Sequence, residues 1–216
     1  MAPKLYGDIR SPCVRAVLLT IKALEIEVEY VPIDVLKNEH LTPEYLKINP
    51  RHTVPSLDDN GFIVWDSHAI MIYLAEKYGK NNSIYPDDGQ KRAIIHQMLF
   101  FETGDIFAIH RYIAYSILHK DNKEPEKDPV EVLEKSYENL EIFLKNSKYL
   151  TGAELTIADF SFWTTLSNSR VLVPINETKY PRIKEWLKLM DSLPYRDLNE
   201  IGRKKFVDIF SKILKK

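Results

Sequence analysis

The stretch from Lys4 to Ala16, Lys-Leu-Tyr-Gly-Asp-Ile-Arg-Ser-Pro-Cys-Val-Arg-Ala, constrains the fold of this chain more than any other. Its first residues have strand character and run into a glycine turn. Ser11-Pro12 then doubles the signal for a helix start, because serine is a preferred N-cap and proline the preferred first helical residue. Apolar residues at 14, 17, 18, 21 and 24 lie on one face of the helix that follows. A hydroxyl, unpaired backbone amides and the positive end of a helix dipole therefore meet at one point. Such a point suits an anion, a thiolate in particular, since hydrogen bonds to the charged form lower a thiol's pKa. The plainer reading is that Ser11 only caps its own helix, and this stretch alone favours it.

A β-rich run over residues 28–34 pairs naturally with the first strand, giving a right-handed βαβ unit with parallel strands. A polar stretch at 36–43 precedes a short helical piece at 44–48. Asn60-Gly61, between two apolar runs within residues 49–65, is a strong hairpin signal. Asp66-Ser67 then opens a second amphipathic helix that reaches Tyr78. The order β-α-β-α-β-β-α predicts a thioredoxin-like α/β domain with a mixed four-stranded sheet over residues 1–80.

Turn formers crowd residues 79–90, and 81–90 read as a linker. From 91 to 216 only helical periodicity remains, which predicts an all-α helical-bundle domain. One long helix is expected over 91–119, then a charged loop at 120–129. A helix at 130–146 follows, with Val132, Leu133, Tyr137, Leu140 and Leu144 on its apolar side. Thr156-Ile-Ala-Asp159 has the form of a capping box with aspartate in the third position, and further helices are expected at 181–192 and 198–216.

Among 216 residues, 30 Lys and Arg balance 31 Asp and Glu, which gives no support to nucleic acid or an anionic membrane as partner. The basic group Arg203, Lys204, Lys205, Lys212, Lys215 and Lys216 reads as a solvated helix face and tail. Cys13 is the only cysteine, so an internal disulfide is excluded and a reducing compartment is the simplest setting. No apolar run approaches the roughly 18 residues of a membrane span, and the N-terminus lacks a signal-peptide core. A cytoplasmic protein is expected.

Ser11-Pro12-x-x-Arg15, Glu39-His40-Leu-x-Pro43-Glu-Tyr, Asn49-Pro50-x-His52-Thr53-Val54-Pro55 and Asp66-Ser67-His68-Ala-Ile occur in order along the chain. Tyr78-Gly-Lys, Ser83-x-Tyr85-Pro86 and Leu155-Thr-Ile-Ala-Asp159-Phe continue the series into the second half. Together they resemble the cytosolic glutathione S-transferases, and among these the insect delta and epsilon classes, epsilon more closely. The resemblance implies an enzyme that presents the sulfur of glutathione as a thiolate to hydrophobic electrophiles. Glutathione would be a co-substrate, with no permanently bound cofactor and no metal, and the protein would be a homodimer.

By the same resemblance, Ser11 donates a hydrogen bond to the glutathione sulfur. Val54 precedes a cis Pro55 and offers its backbone to the cysteinyl unit. Asp66 and Ser67 receive the γ-glutamyl end, while His40 and His52 stand near the glycine carboxylate. Thr53 adds a hydroxyl. His68 is carried over as either a glutathione contact or a dimer residue. For the electrophile, Phe107, Arg111 and Tyr115 recur every four residues, as do Phe206 and Phe210, with Pro12 and Leu36 on the near side. A helical aromatic stripe is also what a core looks like, although an unpaired Arg111 resists full burial. A thiol–disulfide enzyme would place its cysteine where Ser11 stands, so Cys13 is read as inert. The competing functional readings are a non-catalytic carrier of glutathione or an apolar ligand, and a structural subunit with the same two-domain fold.

Overall fold

The computed structural model describes residues 2–80, 83–120 and 124–214. Linker residues 81–82, loop residues 121–123 and the tail lysines 215–216 lie outside the described residues. The first part of the chain forms β1 (Lys4–Gly7), α1 (Pro12–Ala23), β2 (Glu29–Pro32), α2 (Pro43–Ile48), β3 (Ser56–Asp59), β4 (Phe62–Trp65) and α3 (Ser67–Tyr78). The strands lie in the order β2-β1-β3-β4, with β2 parallel to β1 and the other neighbours antiparallel. Asn60 at φ 55° and Gly61 at φ 94° make the two-residue turn between β3 and β4, a conformation that glycine adopts at no steric cost. Two single 3₁₀ turns, Val35–Lys37 and Glu39–Leu41, fill the polar stretch before α2.

The second part is helical: α4 (Gly89–Phe101), α5 (Ala108–His119), α6 (Lys127–Phe143), α7 (Ile157–Leu172), α8 (Pro181–Asp191) and α9 (Arg196–Leu214). The single helix expected over 91–119 is interrupted. A π-helical turn, Glu102–Phe107, separates α4 from α5. There the buried Glu102 carboxylate accepts a hydrogen bond from the Thr165 hydroxyl of α7 at 2.5 Å. The residues on both sides of this turn keep helical periodicity, so the sequence reading runs the two helices together. The charged loop is also shorter than expected, since α6 begins at Lys127. Pro129 falls in its first turn, where a missing N–H costs nothing. Val132 is exposed, and the buried stripe of α6 is Leu133, Tyr137 and Leu140, with Leu144 just beyond.

Asp159 starts α7 as the capping signal predicts. Its buried carboxylate accepts from the Thr156 amide at 2.9 Å, the Leu150 amide at 3.0 Å and the Trp186 indole N–H at 3.1 Å. Burial outweighs these donors and pushes its pKa up to about 6. Among the described residues no helix is long and apolar enough to cross a membrane.

Helix α1 is the hinge of the architecture. It packs on α3 and on α7 and α9, and Lys22 is its one exposed side chain. The one-sided apolar face seen in the sequence understates this burial, because the opposite face is covered by the helical domain. Two close contacts hold that domain in place. Gly202 of α9 lies so near the first domain that a Cβ there would stand 2.2 Å from the Ile9 carbonyl oxygen and 2.5 Å from Arg15 Cδ. On α3, His68 Nε2 lies 2.7 Å from Ser161 Oγ and 3.2 Å from a Glu102 carboxylate oxygen, and Nδ1 lies 3.0 Å from Thr103 Oγ1.

These contacts carry two predictions. Gly202→Ala forces α9 off the Ile9 carbonyl and lowers stability by about 2 kcal/mol or more, read as a shift in the urea midpoint. His68→Ala removes a partner from the buried Glu102 carboxylate and costs about 2–3 kcal/mol. A urea midpoint for His68→Ala equal to that of the unsubstituted protein would remove His68 from the list of domain ties.

Candidate functional site

Helices α1 and α3 begin side by side. Ser11 is the N-cap of α1, in extended conformation at φ −69° and ψ 127°, and its amide donates to the Asp8 carbonyl at 2.9 Å. Its hydroxyl makes no bond to the amides of its own helix, so the capping role expected of most such serines is not the one it plays here. Ser67 is the first residue of α3 and is buried. The side chains of Ser67 and Ser11 both act on the Cys13 thiol, which fixes how near the two helix starts lie. Burial, chiefly, and then Glu102 push the Cys13 thiol up to about 12, so it stays protonated at neutral pH. The inert reading of Cys13 as a nucleophile agrees with that, although its position beside both serines was not legible in the sequence.

Asp66 precedes α3 and holds φ at 80°, outside the region that a non-glycine residue prefers. One of its carboxylate oxygens caps the helix, accepting from the His68 amide at 3.0 Å and the Ala69 amide at 3.3 Å. His52, at φ 47°, is also in the left-handed region and is exposed. Its ring lies 6.2 Å from that of His40, between centroids. Burial and the neighbouring His52 hold the His40 pKa below its ordinary value, with Asp8 acting in the opposite direction. His40 Nδ1 is buried and has no partner in the described structure. Among the described residues no cluster of His, Cys, Asp and Glu is arranged to hold a metal ion.

The Val54–Pro55 peptide bond is cis, as the resemblance implies. Thr53, just before it, is anchored rather than free. Its carbonyl accepts from Tyr45 Oη at 2.6 Å and Asn49 Nδ2 at 2.9 Å, and Asn49 also donates to its hydroxyl at 3.1 Å. Sequence reasoning missed Tyr45 and Asn49 as supports, although both lie inside resembling stretches. It also missed the clamp around Asp8. That carboxylate accepts from the Arg10 amide at 2.9 Å and the Val35 amide at 3.2 Å, and Arg10 Nη2 bonds Asp8 and Asp34 together. The loop bearing Ser11 is thereby fastened to the segment bearing Leu36 and His40.

His68 does not join this group. Both of its ring nitrogens face Glu102, Thr103 and Ser161, which corrects its assignment as a glutathione contact. A helical position does not reveal which domain the side chain will meet. The apolar residues divide similarly. Pro12 is buried, Leu36 is 49% exposed, Phe107 is half-buried, and Arg111 and Tyr115 face solvent, with the Tyr115 ring 4.5 Å from that of His119. Phe206 and Phe210 stack at 4.2 Å but are buried in the core, where Phe210 serves as packing behind Phe206. Between Phe107 and Phe206 lies a residue the sequence reading did not select. His110 has ring centroids 6.3 Å and 5.8 Å from theirs, and burial holds its pKa down to about 3.

The family model described as "Glutathione S-transferase, N-terminal domain" matches residues 1–76, and that described as "Glutathione S-transferase, C-terminal domain" matches 108–195. Glutathione S-transferase 1 of Manduca sexta is 39% identical over 205 residues, covering 94% of each chain. The epsilon-class glutathione S-transferase of the housefly, Musca domestica, superposes with a TM-score of 0.94 at 43% identity, over 98% of each chain. A glutathione transferase homologue from Drosophila mojavensis, with bound glutathione, gives 0.95 at 40% identity over 98% of this chain and 97% of its own. With both domain models matched in order and these relatives matched over nearly their whole length, the chain belongs to the glutathione S-transferase family and resembles its insect epsilon class.

Proposed function

We propose that this chain ionises glutathione at Ser11 and delivers the sulfur to a hydrophobic electrophile held by the helical domain. As a member of its family it is a glutathione transferase. The observation that carries the assignment to Ser11 is a hydroxyl at the start of α1 that bonds none of its own helix's amides. A free thiol has a pKa of about 8.5, so one unit of depression moves much of it into the reactive form near pH 7. An O–H donor and a helix N-terminus both favour the charged form.

In this reading residues 1–80 bind glutathione, 81–90 link, and 91–216 supply the electrophile site. The cysteinyl unit lies along the Val54 backbone beside Pro55, with Thr53 holding that turn. Ser67 and the first amides of α3 receive the γ-glutamyl carboxylate, and the free carboxylate oxygen of Asp66 answers its ammonium group. His40 and His52 face the glycine carboxylate. Phe107, Arg111, Tyr115, Leu36 and Pro12 border the space for the electrophile, with Phe206 behind them. The sulfur attacks the electrophilic carbon and forms the C–S bond while the leaving group departs with the bonding pair. Holding both reactants in line supplies much of the rate. The glutathione-bound relative from Drosophila mojavensis supports this use of the fold. We assign the chain a cytosolic detoxifying role as a homodimer.

Ser11→Ala tests the central assignment. A hydrogen bond to a charged group is worth about 1.5–3 kcal/mol, or roughly one to two pKa units. Ultraviolet titration of bound glutathione will show the thiol pKa raised by that amount. Turnover with a chloronitrobenzene acceptor at pH 6.5 will fall about tenfold or more, and the KM for glutathione will change less than about threefold. An unmoved titration curve discards the role of Ser11.

A further inference from the structure

Arg15 is fully buried, yet among the described residues no carboxylate lies within ion-pair distance of it. Its five N–H groups are all used on neutral acceptors. Nε donates to Asn199 Oδ1 at 2.8 Å, and Nη2 to Asn168 Oδ1 at 2.7 Å and the Thr164 carbonyl at 3.2 Å. Nη1 donates to the carbonyls of Ile9 at 3.1 Å and Arg10 at 2.9 Å. The two acids that act on it from a distance have arginines of their own: Glu200 pairs with Arg203 and Asp8 with Arg10. Burial lowers its pKa to about 9, which leaves the guanidinium charged at neutral pH. A buried cation with no opposite charge is an expensive feature that an apolar residue of similar volume would avoid.

Its position gives that charge a use. The Ile9 and Arg10 carbonyls directly precede Ser11 in the chain. The Cys13 sulfur, near both Ser11 and Ser67, lies within electrostatic reach of Arg15, although its thiol is protonated and uncharged at neutral pH. Glu102 and Asp66 act on the same sulfur and oppose a negative charge there. Arg203 of α9 and the neutral His110 of α5 complete the titratable surroundings of Arg15. We propose that the Arg15 guanidinium is a fixed buried charge that helps hold the glutathione sulfur ionised beside Ser11, in addition to bracing α1 against the helical domain. This rests on the assignment of the sulfur to Ser11. Arg15 is then a positioning residue that acts through space, offsetting Glu102 and Asp66 without touching the substrate.

Bracing and charge are separated by Asn199→Asp, which keeps an oxygen at the acceptor position but gives Arg15 an opposite charge. Titration of bound glutathione in this variant will show the thiol pKa raised by about one unit, a roughly tenfold loss of thiolate at pH 6.5. The acid limb of kcat/KM against pH will move by the same amount. The KM for glutathione will stay within threefold, and the urea midpoint will be unchanged or higher. Asn168→Asp also sets a carboxylate against Arg15, from α7 and with loss of the 3.2 Å donation from Asn168 to the Arg10 carbonyl, and decides the matter if Asn199→Asp does not fold. A folded Asp variant at either position whose bound thiol titrates as in the unsubstituted protein overturns the proposal. Ser11→Ala, titrated in parallel, keeps the two ideas apart: a shift there without one in the Asp variants sinks the role of Arg15 alone.

Discussion

Five hydrogen bonds from one buried guanidinium join the two halves of this protein at the depth where the site is built. The acceptors of Arg15 come from the loop before Ser11, from α7 and from α9. A guanidinium presents its donors in a rigid planar fork, so satisfying all five fixes the relative placement of three segments at once. The start of α1 is therefore oriented partly by the helical domain, although α1 itself belongs to the first. Gly202 lets α9 approach closely enough for this, and His68 repeats the tie from α3 through Glu102 and Ser161.

Around that frame the site is held in conformations the backbone would not choose alone. Asp66 and His52 both sit at positive φ, a cost of about 1–3 kcal/mol each that only surrounding structure can maintain. The first is held by the cap bonds to α3, and the second follows Asn49, whose carbonyl and side chain tie residues 49–53 into a turn. The environment also settles the state of the one cysteine. Burial and nearby acids keep the Cys13 thiol protonated, so the chain's own cysteine is not a nucleophile at neutral pH.

Several parts of this were legible in the residues because their causes are local. Ser11-Pro12, Asn60-Gly61, Asp66-Ser67 and the Thr156–Asp159 cap each act within a few positions. Each stands in the structure at the element boundary it predicts. The parts that failed have distant causes. The π-helical turn at Glu102 reaches for Thr165, sixty-three positions away in the chain. His68 turns toward Ser161, and Val132 of α6 is left uncovered where the period alone expects burial. The burial of Phe206 and Phe210 and the place of His110 between aromatic rings likewise depend on how α5 and α9 meet.

The sequence by itself determined the order of elements in the first domain, the two-domain architecture, the family and the position of the serine that opens α1. These follow from short-range propensity and from motifs carried in order along the chain. Only the tertiary structure decided that the Ser11 hydroxyl does not cap the amides of its own helix, that Cys13 lies near two serines, and that Arg15 is buried with no carboxylate in ion-pair range among the described residues. The reason is physical: hydrogen-bond partners and burial are set by segments far apart in sequence, and no local pattern encodes which of them will meet.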